Sequence, residues 1–301
     1  MTKRSISDQP GPVHQPVLLR EVIQFLDLQS DLTVVDGTVG AGGHSAAICP
    51  GIEPGGTLLG FDRDPMMLDL ARQRLQSFGS ANLIHSSYVH LREKLDELGI
   101  DAVDRVLVDL GLSSDQLADR SRGFGFKAGG TLDLRFDTST GESAKEFLWT
   151  ASVAELADIF HRHADEKFAK QIAEAIHQYR RKQPIETTEQ LQAICADAMP
   201  GKPRGGKNPA TRVIQALRIA VNGELDHLQE SLDKVFYDSV RPGGRVVVIS
   251  FHSIEDRMVK QAFRRRDQWE NLTPKPVEAN PAELRMNPRA RSAKLRAAKR
   301  L

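Results

Sequence analysis

The sequence has very little cysteine: Cys49 and Cys195 are the only two in 301 residues, and they form no CxxC pair or metal-ligand spacing. A disulfide framework is thereby excluded, and both thiols are expected to be reduced and buried. No apolar run approaches the roughly 20 residues that cross a bilayer, and the opening MTKRSISDQPGPVHQP lacks the apolar centre of a secretion signal. A cytoplasmic chain with no membrane segment is predicted. An excess of one charge is also missing. Lys plus Arg number 41 against 40 Asp plus Glu, so any contact with a polyanion must come from local clusters. Aromatic residues are sparse at 6%, but 40% of the residues are hydrophobic, ample for a core in one large domain or two ordinary ones.

What is present is an alternation of apolar runs with amphipathic stretches. After a polar start, residues 16–28 (PVLLREVIQFLDL) have helical spacing. Candidate strands follow at 32–36 (LTVVD), 57–62 (TLLGFD), 81–86 (ANLIHS), 104–110 (DRVLVDL) and 244–251 (GRVVVISF). Most are apolar on both faces, which predicts an α/β fold whose parallel sheet is covered by helices on each side. About 130 residues separate the last two strands, far more than a crossover helix needs. Within them, 143–199 carries repeated helical periodicity and no strand candidate. The expected division is therefore 1–116 and 202–301 for the sheet domain, with 117–201 inserted as an all-helical unit. Next, PGKPRGGKNP reads as a loop, residues 210–236 as one long helix, and Arg241 to Gly244 as a turn.

The run Asp36-Gly37-Thr38-Val39-Gly40-Ala41-Gly42-Gly43-His44-Ser45 follows the first strand and opens a helix. Small residues there let a ligand approach free backbone amides. Asp62 lies twenty residues beyond Gly42, at the end of the second strand, where a carboxylate accepts ribose hydroxyls. Asp64 with Pro65 accounts for the following helix cap, leaving Asp62 for a nucleoside. NAD and S-adenosylmethionine both suit this pattern. Ser45 at the last position of the glycine motif favours the methyl donor. Asp36 has two candidate roles, near the donor's ammonium group or as a loop anchor.

The segments HQPVLLREV (14–22), DGTVGAGGHS (36–45), DLGLSSDQL (109–117), SRGFGF (121–126), LDLRFD (132–137), NPATRVIQALRIAVNGEL (208–225), RPGGRVVVISFHSIEDRMVK (241–260) and NPRARSAKLR (287–296) cover nearly the whole chain in order. In these the sequence resembles the bacterial methyltransferases that modify cytosine N4 in the decoding centre of 16S ribosomal RNA. The resemblance implies a Rossmann-like class I methyltransferase sheet with an inserted helical domain, S-adenosyl-L-methionine as donor, no metal, and the small ribosomal subunit or its precursor as partner. It implies a donor site of Gly42, Gly43, His44, Asp62, Tyr88, Asp109 and Gln116. The chain departs from the family pattern at Asn208, Gly125 and Ala118, where His, Ser and an acid are usual.

Methyl transfer from a sulfonium needs an in-line approach, and cytosine N4 needs an acceptor for its N–H groups. Asp109, at the end of the fourth strand, is the candidate for that role, in competition with donor binding. Ser113 and Ser114 precede a helical segment and read as N-caps or as hydrogen-bonding partners of the base. The cluster Ser250, Phe251, His252, Ser253, Glu255 and Asp256 lacks a G-x-S-x-G elbow. It reads as a strand tip bordering the base pocket, with Ser253 and Asp256 capping a helix. His161, His163 and Asp165 read as a solvated helix face rather than a metal site. Two basic clusters, Lys202, Arg204, Lys207, Arg212 and Arg218, and the seven cations of 285–301, are candidate RNA contacts. A methyltransferase acting on a different RNA base, a nicotinamide-dependent oxidoreductase and a non-catalytic RNA-binding relative are the competing functions.

Overall fold

The computed structural model describes residues 16–125, 130–200 and 208–301. Five parallel strands form the heart of the molecule: β1 Thr33–Asp36, β2 Thr57–Asp62, β3 Ala81–His85, β4 Val103–Asp109 and β5 Val240–Ser250. Their side chains alternate between two buried layers. Val106, Val108, Val246 and Val248 face one core, while Leu107, Val247 and Ile249 face the other. This two-sided burial explains why these strands read as apolar runs.

Helices α1 Leu19–Leu26, α2 Gly43–Ile52 and α3 Pro65–Leu75 cover the second face through Val22, Leu26, Ile48, Ile52, Leu68 and Ala71. The first face carries α4 Leu91–Glu97. The sheet order is β3-β2-β1-β4-β5-β7-β6, completed by β6 Trp269–Asn271 and β7 Lys294–Arg300. β7 runs antiparallel to both of its neighbours. This is the expected Rossmann-like α/β architecture, distinguished from the six-strand dinucleotide order by the reversed strand between β5 and β6.

Between β4 and β5 come α5 Ser114–Ala118, α6 Ala144–Thr150, α7 Val153–Ala164, α8 Ala169–Arg180, α9 Thr188–Ala198 and α10 Thr211–Asn222. Ser143, Ser152 and Thr187 each close a capping box at the start of α6, α7 and α9. Leu148, Leu156, Phe160, Ile172, Ile176, Leu191, Val213 and Leu217 pack into one core separate from the two sheet layers.

Several expectations are corrected. The long helix of 210–236 breaks at Gly223, which takes a left-handed φ of +59°. It continues as α11 Glu224–Glu230, a π segment Ser231–Val235 and α12 Phe236–Ser239. β5 starts at Val240, paired with Val103, and its ladder resumes at Arg245; Arg241 to Gly244 bulge between the two. The cap of α13 Ser253–Ala262 is His252 with Glu255, one residue earlier than Ser253 with Asp256.

The basic carboxyl end is not simply an RNA-binding tail, because Lys294–Arg300 is an interior strand. Arg296 is buried and pairs with Asp256, while the Arg300 guanidinium lies over the Tyr237 ring. Both cysteines are free and buried, as expected. No helix among the described residues is long and apolar enough to cross a membrane. Lys202, Arg204 and Lys207 lie outside the described residues.

Candidate active site

The carboxyl ends of β1 to β4 open on a cleft whose empty space, counted out into the solvent at its mouth, is about 1000 Å³. After β1, the glycine loop turns into α2 at Gly42, whose φ of +79° only glycine adopts freely. Gly43 and His44 line the cleft, as do Asp62, Tyr88, Asp109 and Gln116. Six of the seven predicted donor-site residues therefore meet in one space. Gly42 stands just behind them, backed against Ala71 of α3.

Asp62 holds the loop and faces the cleft together. Its Oδ2 accepts from Gly40 N at 2.8 Å and its Oδ1 from Asp64 N at 2.9 Å. Each carboxylate oxygen keeps a lone pair for a ribose hydroxyl. Burial raises its pKa to about 6 despite these two donors. Asp64 fills the capping role expected of it, accepting from Met66 N at 3.1 Å at the start of α3. Asp36 is the loop anchor. It is buried, accepts from Ser45 Oγ at 2.6 Å and Thr38 N at 3.3 Å, and burial raises its pKa.

His44 is buried at the start of α2, and neither ring nitrogen has a hydrogen-bond partner among the described residues. Its Nε2 is 3.5 Å from Asp109 Oδ2, near enough for attraction but without hydrogen-bond geometry. A buried imidazole with two unpartnered nitrogens, on a residue that lines the cleft, is an incomplete site that a polar ligand would complete. Asp109 itself is held by its backbone, with Thr38 Oγ1 accepting from its N–H at 2.7 Å. Its carboxylate accepts from Gly111 N at 3.4 Å and its side chain retains 18% exposure, leaving lone pairs for an incoming group.

Tyr88 begins a 3-10 turn, Tyr88–His90, directly after β3. Its ring is buried, 6.2 Å from Phe236, and it also lines the cleft. Gln116 is more constrained than expected. Its Oε1 accepts from Ser113 N at 3.0 Å in a capping box, and its Nε2 donates to Asp64 Oδ2 at 3.0 Å. Ser113 is thus the N-cap of α5.

The sequence reading missed the α11 wall. Glu224, His227 and Leu228 line the cleft beside Arg63, Ser87 and Glu255. Arg218, expected to contact RNA, instead forms a buried bidentate pair with Glu224 at 2.7 and 2.9 Å. His227 Nδ1 is 3.1 Å from Ser87 Oγ, and burial first, then Arg63, lowers its pKa to about 4. The signal for this wall was Gly223, the glycine that ends α10 and turns the chain toward the cleft.

Phe251 packs against Gly111 at the edge of the cleft, close to the base-bordering position expected for it. Asn208 holds the turn just before α10, whose N-cap is Ala210: its Oδ1 accepts from Ala210 N at 2.9 Å and its carbonyl from Thr211 N at 3.1 Å. His163 is half-buried and its pKa lowered by burial, so only His161 and Asp165 fit a solvated face. Among the described residues no group of three potential ligands could hold a metal ion.

The cleft combines a glycine-flanked helix start, a carboxylate for a ribose, and Asp109 beside the open His44 ring. Such a site accepts a nucleoside with both a carboxylate, at the amides of α2, and positive charge, near Asp109. The residues present fit S-adenosylmethionine on these grounds.

The sequence model of the MraW methylase family matches residues 12–301. The chain is 45% identical over 292 residues to the ribosomal RNA small subunit methyltransferase H of Sorangium cellulosum, covering 97% of this chain and 92% of that one. It is 43% identical over 316 residues to the protein of the same name from Thermomicrobium roseum, covering 99% and 96%. Among solved structures, an rRNA methylase from Streptococcus thermophilus aligns over 97% of this chain and 99% of that one, at 10% identity and a TM-score of 0.45; a likeness that distant adds nothing to the assignment. The match over almost the full length means that the chain belongs to the MraW methylase family and is an S-adenosylmethionine-dependent methyltransferase.

Proposed function

We propose that this protein transfers a methyl group to the N4 amine of a cytidine in the decoding centre of 16S ribosomal RNA, in the cytoplasm, on the small subunit or its precursor. The observation that carries the reading is the convergence of Asp62, His44 and Asp109 on one cleft, in a chain so similar to proteins named ribosomal RNA small subunit methyltransferase H. The oxidoreductase alternative is disfavoured by the methylase family model that matches residues 12–301. The division expected from the sequence, with 117–201 inserted between 1–116 and 202–301, belongs to this proposal; α10 lends its apolar face to the inserted unit.

S-adenosylmethionine, when bound, supplies a methyl group on a sulfonium leaving group. Asp62 holds the ribose hydroxyls, Tyr88 borders the adenine, and the α2 amides with His44 hold the amino-acid end. Gln116 acts through Asp64 and Ser113, fixing the α5 wall rather than offering a free amide to the donor. Asp109 accepts a hydrogen bond from the cytosine amine, which concentrates electron density on N4. Methylation of the amine would break the methyl–sulfur bond, leaving S-adenosylhomocysteine as a neutral thioether, and one N4 proton would pass to this carboxylate. Because the amine must reach the strand tips, the target base enters unpaired.

Incubation with donor labelled in the methyl group and undermethylated small subunits, followed by digestion to nucleosides, tests the reading. Label is expected to comigrate with an N4-methylated cytidine. Label on adenosine, on cytosine carbon or on protein contradicts the acceptor assignment, and donor binding with no transfer favours the non-catalytic relative.

A further inference from the structure

The carboxyl-terminal segment before β7 is hydrogen-bonded to Leu18 and Ser114, each within two residues of a cleft-lining residue. It consists of α14 Pro281–Met286 and a 3-10 turn, Pro288–Ser292. Glu283 Oε1 accepts from Leu18 N at 2.7 Å, two residues after Pro16, which lines the cleft. Arg289 Nη1 donates to Ser114 Oγ at 2.5 Å, at the start of α5, next to Ser113, which also lines the cleft. The segment is therefore held beside two separate stretches of the cleft lining, at Pro16 and at Ser113.

Its outer surface is unusual in composition and exposure. Residues 281–292 contain Arg285, Arg289 and Arg291 against a single acid, Glu283. Glu283 is occupied by the Leu18 amide and Arg289 by Ser114. Arg285 and Arg291 are exposed and have no ion-pair or hydrogen-bond partner among the described residues. Between them Met286 is 74% exposed, and α14 buries none of its residues. An exposed thioether next in sequence to one open guanidinium group and five residues from another gives a nucleic acid both an apolar contact and positive charge.

We propose that this segment is an RNA-docking ledge: Arg285 and Arg291 contact phosphates of the strand flanking the target base, and Met286 packs against an unstacked neighbouring base. The inference rests on the proposed RNA substrate and assigns its path across the protein. Guanidinium groups bind phosphate with release of counterions, and a polarisable thioether makes favourable contact with an aromatic face. The ledge's two anchors place that strand where its extruded base points into the cleft. Of the seven cations of 285–301, Arg285 and Arg291 are thus assigned to phosphate; Arg296 and Arg300 serve the sheet.

The test is equilibrium binding of purified undermethylated small ribosomal subunits across a salt series, read without turnover, with S-adenosylhomocysteine affinity as the check on the fold. The double variant R285A/R291A should bind about tenfold more weakly near 0.15 M salt, with a log–log salt slope shallower by about 1.5. Met286→Ala should bind about threefold more weakly with the parental slope. Both should bind S-adenosylhomocysteine within twofold of the parent. Parental affinity and slope in the double variant overturn the ledge, as does a loss of affinity with no change of slope. The two readings separate cleanly: methyl label on a site other than cytosine N4 defeats the acceptor assignment, whereas the salt slope alone decides the ledge.

Discussion

Replacing Asp109 with asparagine should lower kcat by about 10³ while leaving S-adenosylhomocysteine affinity within about threefold of the parent. The size follows from general-base contributions of roughly 10² to 10⁴. The split between the two parameters follows from geometry. The main chain of Asp109 is fixed by Thr38 and its carboxylate reaches the open cleft near His44. Asparagine preserves the shape and one acceptor oxygen but takes no proton, so binding survives and transfer does not. Single-turnover rates with small subunits, alongside calorimetric donor affinity, measure both quantities. Weakened donor binding with a parental transfer rate would make Asp109 a donor ligand only, the competing role implied by the family resemblance.

Truncating Arg122 to alanine should destabilise the protein by about 3 to 5 kcal/mol, lowering Tm by roughly 10 °C for a chain of this size. Asp64 is fully buried, and Arg122 Nη2 donates to its Oδ2 at 3.0 Å. The same guanidinium donates to the Arg135 and Phe136 carbonyls, at 2.9 and 2.5 Å from Nη2. Arg122 thereby ties the segment leading into the helical unit to the cap of α3. Alanine leaves a carboxylate buried with only Gln116 and a backbone amide for company. Combining Arg122→Met with Asp64→Asn should recover part of the loss, since asparagine still caps α3 and carries no charge. Thermal unfolding of the three proteins is the measurement. A Tm change under 2 °C in Arg122→Ala would show that water already satisfies Asp64.

The parts of this fold legible in the sequence are those whose burial is two-sided and local. β1, β2, β4 and β5 bury both faces, so their apolar runs were visible without a partner; β3, an edge strand with no fully buried residue, was legible from its apolar run alone. β7 was not, because four of its seven residues, Lys294, Arg296, Lys299 and Arg300, are basic. Its burial depends on small Ala297 and Ala298 in the interior and on charges supplied from afar, Asp256 on α13 for Arg296 and Glu270 on β6 for Lys299. Nothing within seven residues announces such partners. The break at Gly223 carried a local signal, a glycine inside a helical pattern, yet α10 and α11 share one periodicity across it.

The same division holds for the site. The glycine loop, Asp62 and the Asp64 cap are successive in sequence or set by strand length, and they assemble as read. Glu224 and His227 reach the cleft only because the chain returns to it after the helical unit, over a hundred residues later. His252 and Ser253 show how close the alternatives lie. H-S-I-E and S-I-E-D are both capping patterns one residue apart, and the bonds from Phe251 and His252 amides to Glu255 select the first.

Donor affinity as a function of pH tests the central claim, a nucleoside-binding cleft built on Asp62, most directly. Burial lifts the Asp62 pKa to about 6, and only the ionised carboxylate presents all its lone pairs to ribose hydroxyls. Protonation of the free protein therefore competes with binding as pH falls through that value. S-adenosylhomocysteine titrated calorimetrically should bind one site per chain, weakening about tenfold between pH 7 and pH 5, and Asp62→Asn should bind more weakly at pH 7 and lose this dependence. Parental affinity in Asp62→Asn, or the same pH profile in both proteins, would contradict the account.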